Sequence, residues 1–357
     1  MTRALWALGA LTAVLAAPVS GQTATWYIAT YTNDLLVWDE ASEEVVDRIT
    51  MSHFIPTGVQ VSQDKSRLYV HEASGEHVEV VDLGTREPIQ DITLSHDSVT
   101  VRIEGMAAHP SNDRLAMMVK RYTKLVDRYK VEGPFIVEYD LATEQVTDTI
   151  PWPDGEARDR GVNFRYSPDG EALYFFVEDI IAVDADSYEE IDRWEISQPL
   201  EPGLGRSSFG VVPGTYDAEG VVTGLYRMRD PIQNRSLMGI ARVSLEDHEV
   251  DFYTLGPSEP VGSFTLTPDR TKAYALYGEI GHYEFWEFDL EGRRVARKQP
   301  FAGRPRMSPQ VSADGERLFI FRAGNTIDVY DAGTFELMRT VTFDEDMIGV
   351  AIVPGDR

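Results

Sequence analysis

Short, strongly apolar stretches bounded by turn formers recur along the whole chain. Ala172-Leu173-Tyr174-Phe175-Phe176-Val177 and Arg317-Leu318-Phe319-Ile320-Phe321 are two of them, each bounded by Gly, Asp or Pro. Such short runs, closed off by turn formers, predict short antiparallel strands.

Two landmarks organise these strands into a repeat. The first is a turn of the Ser-Pro-Asp-Gly type before a strand. It stands at Ser62-Gln63-Asp64, His109-Pro110-Ser111-Asn112, Ser167-Pro168-Asp169-Gly170, Val212-Pro213-Gly214, Thr267-Pro268-Asp269, Ser312-Ala313-Asp314-Gly315 and Val353-Pro354-Gly355-Asp356. The second is an Asp that ends a β-rich run, usually with Ser or Thr three residues later. It reads Asp39/Ser42, Asp82/Thr85, Asp140/Thr143, Asp184/Ser187, a degenerate Ser244, Asp289 and Asp331/Thr334, at steps of 42–60 residues. A unit of that length with four short strands is a propeller blade. Seven units therefore predict an all-β chain folded as a seven-bladed β-propeller.

The two ends sharpen this expectation. Thr25–Ile49 supplies three strands of a blade without its opening strand, and Met347–Pro354 is an orphan opening strand. Pairing the C-terminal strand with the first blade closes the ring and removes two free sheet edges. A β-sandwich or a solenoid offers no such match of ends.

Before the first blade, Arg3 precedes the uncharged run Ala4–Ala17, and Pro18 then leads to the small residues Ser20 and Gly21. This pattern predicts a signal peptide over residues 1–21, a propeller over 22–357, and a periplasmic or secreted location. The run is too short for a bilayer core of about 30 Å, so membrane insertion is not expected.

Composition narrows the chemistry. The chain's 59 acidic and 33 basic residues give a net charge of −26, which repels phosphate backbones and argues against nucleic acid. It has no cysteine, and hence no disulfide, thiolate metal site, Cys nucleophile or covalently attached haem. Its seven histidines show no HExxH or HxH spacing, and no nucleophile elbow or phosphate-binding glycine loop is present. Gly203-Leu204-Gly205 opens no strand-turn-helix unit. Carboxylate-rich loops with Asp154, Asp159, Asp184 and Asp186 offer a calcium alternative, against which solvated turns weigh more heavily. Catalytic, cofactor-binding and metal residues are accordingly assigned to none in this chain. Trp26, Trp38, Trp152, Trp194 and Trp286 fall at strand positions and are expected to pack between blades.

Leu68-Tyr69-Val70, Val78-Glu79-Val80-Val81-Asp82 and Ile89-Gln90-Asp91-Ile92 resemble the surface-layer-type propeller repeat with its Tyr-Val-Thr-Asn core. A narrower likeness lies in two long blades. Residues 105–150 and 220–255 resemble the third and fifth blades of the β subunit of quinohemoprotein amine dehydrogenase. It continues through Asp269-Arg270-Thr271-Lys272-Ala273-Tyr274 and Val311-Ser312-Ala313-Asp314-Gly315. The match covers most of the mature chain as a pattern of insertions and turns, without a catalytic signature. It implies a non-catalytic subunit that works beside a dihaem cytochrome c subunit and a small subunit carrying a tryptophylquinone. Haem c and the quinone would reside in those partners, which together deaminate primary amines oxidatively.

The insertions themselves read as an interface. Lys120–Gly133 gathers Lys120, Arg121, Tyr122, Lys124, Arg128, Tyr129 and Lys130, and blade five carries Tyr226, Arg227, Met228, Arg229, Asp230 and Arg235 at the matching place. Lys120, Arg121, Tyr122, Arg128, Tyr129, Tyr226, Arg227 and Arg229 are the interface candidates, since Arg and Tyr are favoured in interface cores. Solvated hairpins with incidental charge remain the alternative. Three functions stay open: the accessory subunit, a free-standing binding or scaffold propeller, and a propeller lactonase or hydrolase.

Overall fold

The computed structural model describes residues 23–53, 55–155, 157–158, 162–177, 179–198, 205, 207–209, 214–321 and 324–355. The expected export segment, residues 1–21, lies outside them. Among the described residues, 28 strands form seven sheets of four, with a single 3-10 turn at Pro153–Gly155. None of the helical structure there is long and apolar enough to cross a membrane.

Blade one holds β1 (Ala24–Thr30), β2 (Asp34–Asp39) and β3 (Glu44–Thr50). Blade two is β4 (Pro56–Val61), β5 (Arg67–Glu72), β6 (His77–Asp82) and β7 (Glu87–Thr93). Blade three is β8 (Val99–Ala108), β9 (Arg114–Lys124), β10 (Tyr129–Asp140) and β11 (Gln145–Ile150). Blade four is β12 (Asn163–Tyr166), β13 (Ala172–Phe176), β14 (Ile180–Asp184) and β15 (Glu190–Trp194). Blade five is β16 (Ser207–Phe209), β17 (Val221–Asp230), β18 (Arg235–Ser244) and β19 (Glu249–Pro257). Blade six is β20 (Val261–Leu266), β21 (Lys272–Glu279), β22 (His282–Asp289) and β23 (Arg294–Phe301). Blade seven is β24 (Ser308–Val311), β25 (Arg317–Phe321), β26 (Thr326–Asp331) and β27 (Leu337–Thr342). The last strand, β28 (Met347–Pro354), pairs antiparallel with β1 from Ala24↔Pro354 to Thr30↔Met347 and becomes the inner strand of blade one. Closure by the C-terminal strand is therefore a feature of the fold.

The landmark turns are the hydrogen-bonding devices that shape each blade. Between first and second strands, a Ser or Thr hydroxyl donates to the Asp two residues on, as in Ser62–Asp64 (2.6 Å) and Thr267–Asp269 (2.6 Å). Between third and fourth strands, the Asp accepts the backbone N–H three residues later: Asp82 from Thr85 (2.7 Å), Asp140 from Thr143 (2.6 Å), Asp331 from Thr334 (2.7 Å). The degenerate Ser244 solves the same problem in reverse, donating to Asp247 at 2.8 Å. These Asx-type bonds satisfy backbone groups that a tight turn leaves unpaired.

Burial follows the blade geometry. Second and third strands are nearly all buried, as in β13 and β2, whereas the outer strands β3, β11 and β27 are mostly exposed. The core lies between blades. Trp26 and Trp38 of blade one meet Phe319 of blade seven edge-on at 5.1 and 5.6 Å, and Trp286 is buried in blade six. Trp26 and Trp38 thus pack between blades as expected, whereas the ring neighbours of Trp286, Tyr277 and Phe288, belong to its own blade and Trp152 lies outside the strands.

Candidate functional site

Strand order divides the turns between two faces. Turns joining first to second and third to fourth strands share one face. Turns joining second to third strands, and links between blades, share the other, called here the hairpin face. Both insertions project from the hairpin face.

In blade three, β9 and β10 run on past the blade with Lys124↔Tyr129, Tyr122↔Val131 and Arg121↔Glu132 in register, and β8 keeps pace as far as Val99↔Thr123. The result is a three-stranded extension. Its cations find carboxylates of their own: Lys120 lies 3.3 Å from Glu104, Arg128 3.1 Å from Asp127, and Lys130 2.7 Å from Glu132. The Tyr122 ring accepts the Arg102 guanidinium at 5.6 Å, and Arg121 is exposed. Apolar groups stand out most from this hairpin. Val126 is fully exposed, Tyr129 is 63% exposed, and Leu125, Val131 and Phe135 are also exposed.

In blade five, period-two alternation along β17 separates inside from outside. Tyr226 points inward and is 2% exposed, with its hydroxyl 2.8 Å from Thr254 Oγ1 and its ring edge-on to Phe252 at 5.7 Å. It leans over Gly239, where a Cβ would come within 2.7 Å of the ring. Tyr226, an interface candidate, is therefore part of the blade's own packing and not of an exposed surface. Arg227 points outward but ties blade five to the next link, donating to Ser258 Oγ at 3.2 Å and to the Val261 carbonyl at 2.9 Å. Arg229 donates to Asn234 Oδ1 at 2.5 Å beside the Arg235–Asp230 pair at 3.1 Å. Ile232, 80% exposed, stands at the tip of this turn.

Tyr31 in blade one and Ile280 in blade six occupy the corresponding tips, also exposed. Among the described residues, no exposed large hydrophobic lies in the turns of the opposite face. An open pocket of about 270 Å³ lies on the hairpin face between blades six and seven, with Tyr277, Tyr283, Arg304, Arg306 and Met307 in its wall.

The same face holds a constellation that sequence spacing did not suggest. His53, in the link from blade one, places Nε2 2.9 Å from Asp91 Oδ2, and His77 places Nδ1 3.1 Å from Asp91 Oδ1. The two imidazoles stack at 3.8 Å. It is the one such convergence of His and carboxylate groups among the described residues. Its strands, β6 and β7, are the outer pair of blade two, remote from the inner strands around the channel. The calcium candidates do not converge: Asp154 pairs with Arg193 (2.7 Å), Asp186 with Arg114 (2.9 Å), and Asp184 caps its own turn. Asp159 lies outside the described residues.

No protein-family model and no curated protein matches the chain. Solved structures do. Apo AztD from Citrobacter koseri is 12% identical, with 94% of this chain and 99% of that one covered at a TM-score of 0.58. The dihydro-haem d1 dehydrogenase NirN is 14% identical over 93% of this chain and 75% of that one, at 0.51. Hydrazine synthase from Kuenenia stuttgartiensis is 12% identical over 88% and 90%, at 0.50. At such identities the likeness establishes the fold alone: the chain is a seven-bladed β-propeller with structural neighbours among other propellers.

Proposed function

We propose that this chain is an exported, non-catalytic propeller subunit of a periplasmic redox complex of the amine-dehydrogenase type, docking its partners through the hairpin face. The observation that carries the reading is the segregation of exposed apolar tips (Val126, Tyr129, Ile232, Ile280, Tyr31) to one face of a chain with net charge −26. Apolar and aromatic side chains at protruding positions are what a partner's pockets cover. The likeness of blades three and five to the amine dehydrogenase β subunit supplies the class of partner: a dihaem cytochrome c subunit and a small quinone-bearing subunit. On this reading haem c and tryptophylquinone belong to those partners, and this chain supplies no cofactor ligand to them.

The test is purification of the exported chain from the periplasm of its native cell. The expected product carries a c-type haem spectrum and reduces an artificial acceptor when given a primary amine, whereas the chain stripped of partners is colourless and inactive. Turnover by the single chain, or haem-free isolation in every preparation, would overturn the reading. A free-standing binding propeller is the second reading, favoured by the pocket walled by Tyr277, Tyr283 and Arg304. It expects the chain to purify alone.

A further inference from the structure

We propose that His53, His77 and Asp91 form a binding site for a divalent first-row transition ion of the zinc class. The register of blade two brings two of these groups together. Glu79 faces Asp91 and His77 faces Thr93 across β6 and β7, so His77 and Asp91 are diagonal neighbours on one side of the sheet. The link from blade one lays His53 over this diagonal, its ring stacked on that of His77.

Two imidazole nitrogens and a carboxylate are a donor set for zinc-class ions. Calcium and magnesium instead ask for six or more oxygens. The geometry fits as well. Bonds of about 2.0–2.1 Å to a tetrahedral ion place neighbouring ligand atoms about 3.3 Å apart. The nitrogen–oxygen separations here are 2.9, 3.1 and 3.2 Å, and all three groups offer ligand atoms within 4.8 Å of one another. Small rotations of the rings would accept the ion, and three protein ligands leave a position open to water.

The segments that carry the histidines are themselves held by buried carboxylates. Glu79, 4% exposed, accepts the backbone N–H groups of Ser52 (2.8 Å) and His53 (3.1 Å). Glu72, 6% exposed, accepts those of Ser74 (2.7 Å), Glu76 (2.8 Å) and His77 (3.2 Å). These bonds fix the backbone that carries both histidines. A divalent ion seated between them would be ligated by all three groups at once.

The experiment titrates Zn²⁺ against the purified, tag-free chain in competition with a chromophoric chelator, and repeats it with His53→Gln, His77→Gln, Asp91→Asn and the control His96→Gln. Metal-free melting curves confirm that each variant is folded. The expected result is one equivalent bound by the wild type and the control. Affinity should fall at least tenfold in each of the three ligand variants, with loss of the zinc-induced rise in melting temperature. Co²⁺ in place of Zn²⁺ should give visible absorption bands that the ligand variants lack. Absence of stoichiometric binding by the wild type, or equal affinity in the doubly substituted His53→Gln/His77→Gln chain, would overturn the site.

Discussion

Burial pushes the Asp217 carboxyl up to about 6, although the backbone N–H groups of Gly214 and Thr223 and the Arg165 charge pull it back. Asp64 is the opposite case. Burial would raise it, but hydrogen bonds from Ser62, Ser66 and Asn112 hold it at about 2. The two residues act oppositely on stability. The folded chain holds the Asp217 proton more tightly than the unfolded chain does, so stability falls as pH rises from about 4 to about 6, by on the order of 1–3 kcal/mol. Asp64 contributes stability that is complete above its unfolded value near 4 and is lost as pH falls through about 2. Asp217→Asn gives up one of two backbone hydrogen bonds but no longer titrates. Its melting temperature should therefore lie below that of the wild type near pH 4.5, and the deficit should shrink or reverse by pH 7.5. A difference that stays flat across that range would show that Asp217 titrates normally. Turn aspartates such as Asp82 and Asp140 could be recognised from spacing because one short side chain performs the function locally. The left-handed residues four places after each landmark could not. Glu43, Arg86, Glu144, Tyr188, His248, Arg293 and Phe335 share that backbone conformation and no side-chain chemistry, so the tertiary turn imposes it rather than the residue type.

Hairpins are the scale at which sequence and structure part company most usefully. The lengths of the two insertions and their common side were legible, since a break in repeat length must be absorbed at one turn. Their surface character was not. Counting cations between Lys120 and Lys130 left out Glu104, Asp127 and Glu132, which pair with them, and grouping Tyr226 with Arg227 ignored the strand alternation that sends one inward and the other outward. His53 and Asp91 lie far apart in sequence and meet through register and a link, for which spacing carries no signal. The consequence for docking is specific. If the proposed partners dock on the hairpin face, Val126→Asp combined with Tyr129→Asp should abolish their retention, since a hot-spot truncation costs about 2 kcal/mol or more. Arg128→Glu, at an exposed charge already beside Asp127, should change association rate and salt dependence far more than yield. Pull-down yield and association rate at two ionic strengths separate the cases. A stronger effect from Arg128→Glu than from the apolar pair would count against docking through the apolar tips.

At the scale of the whole ring, closure depends on one strand and one clasp. The inner strand of blade one comes from the far end of the chain, so its seven pairs with β1 close the largest loop the molecule has. Across the same seam, Glu40 is fully buried. Its Oε2 accepts the Trp26 indole N–H at 3.0 Å, and its Oε1 accepts the Ala313 N–H of blade seven at 2.8 Å. Burial raises the Glu40 carboxyl above its ordinary value, the Ala313 and Trp26 bonds opposing the rise. Removing residues 347–357 should leave β1 with a free edge, and free edges pair with other chains. The truncated chain should therefore aggregate or melt without a cooperative transition. Glu40→Ala keeps every strand but strands two buried donors, each costing about 1–3 kcal/mol. It should melt cooperatively at a lower temperature, and Glu40→Gln, which retains one good acceptor, should fall between it and the wild type. Calorimetry and light scattering on the three proteins distinguish strand from clasp. If the truncated chain melts as sharply as the intact one and stays monomeric, the C-terminal strand is not what closes the ring in solution.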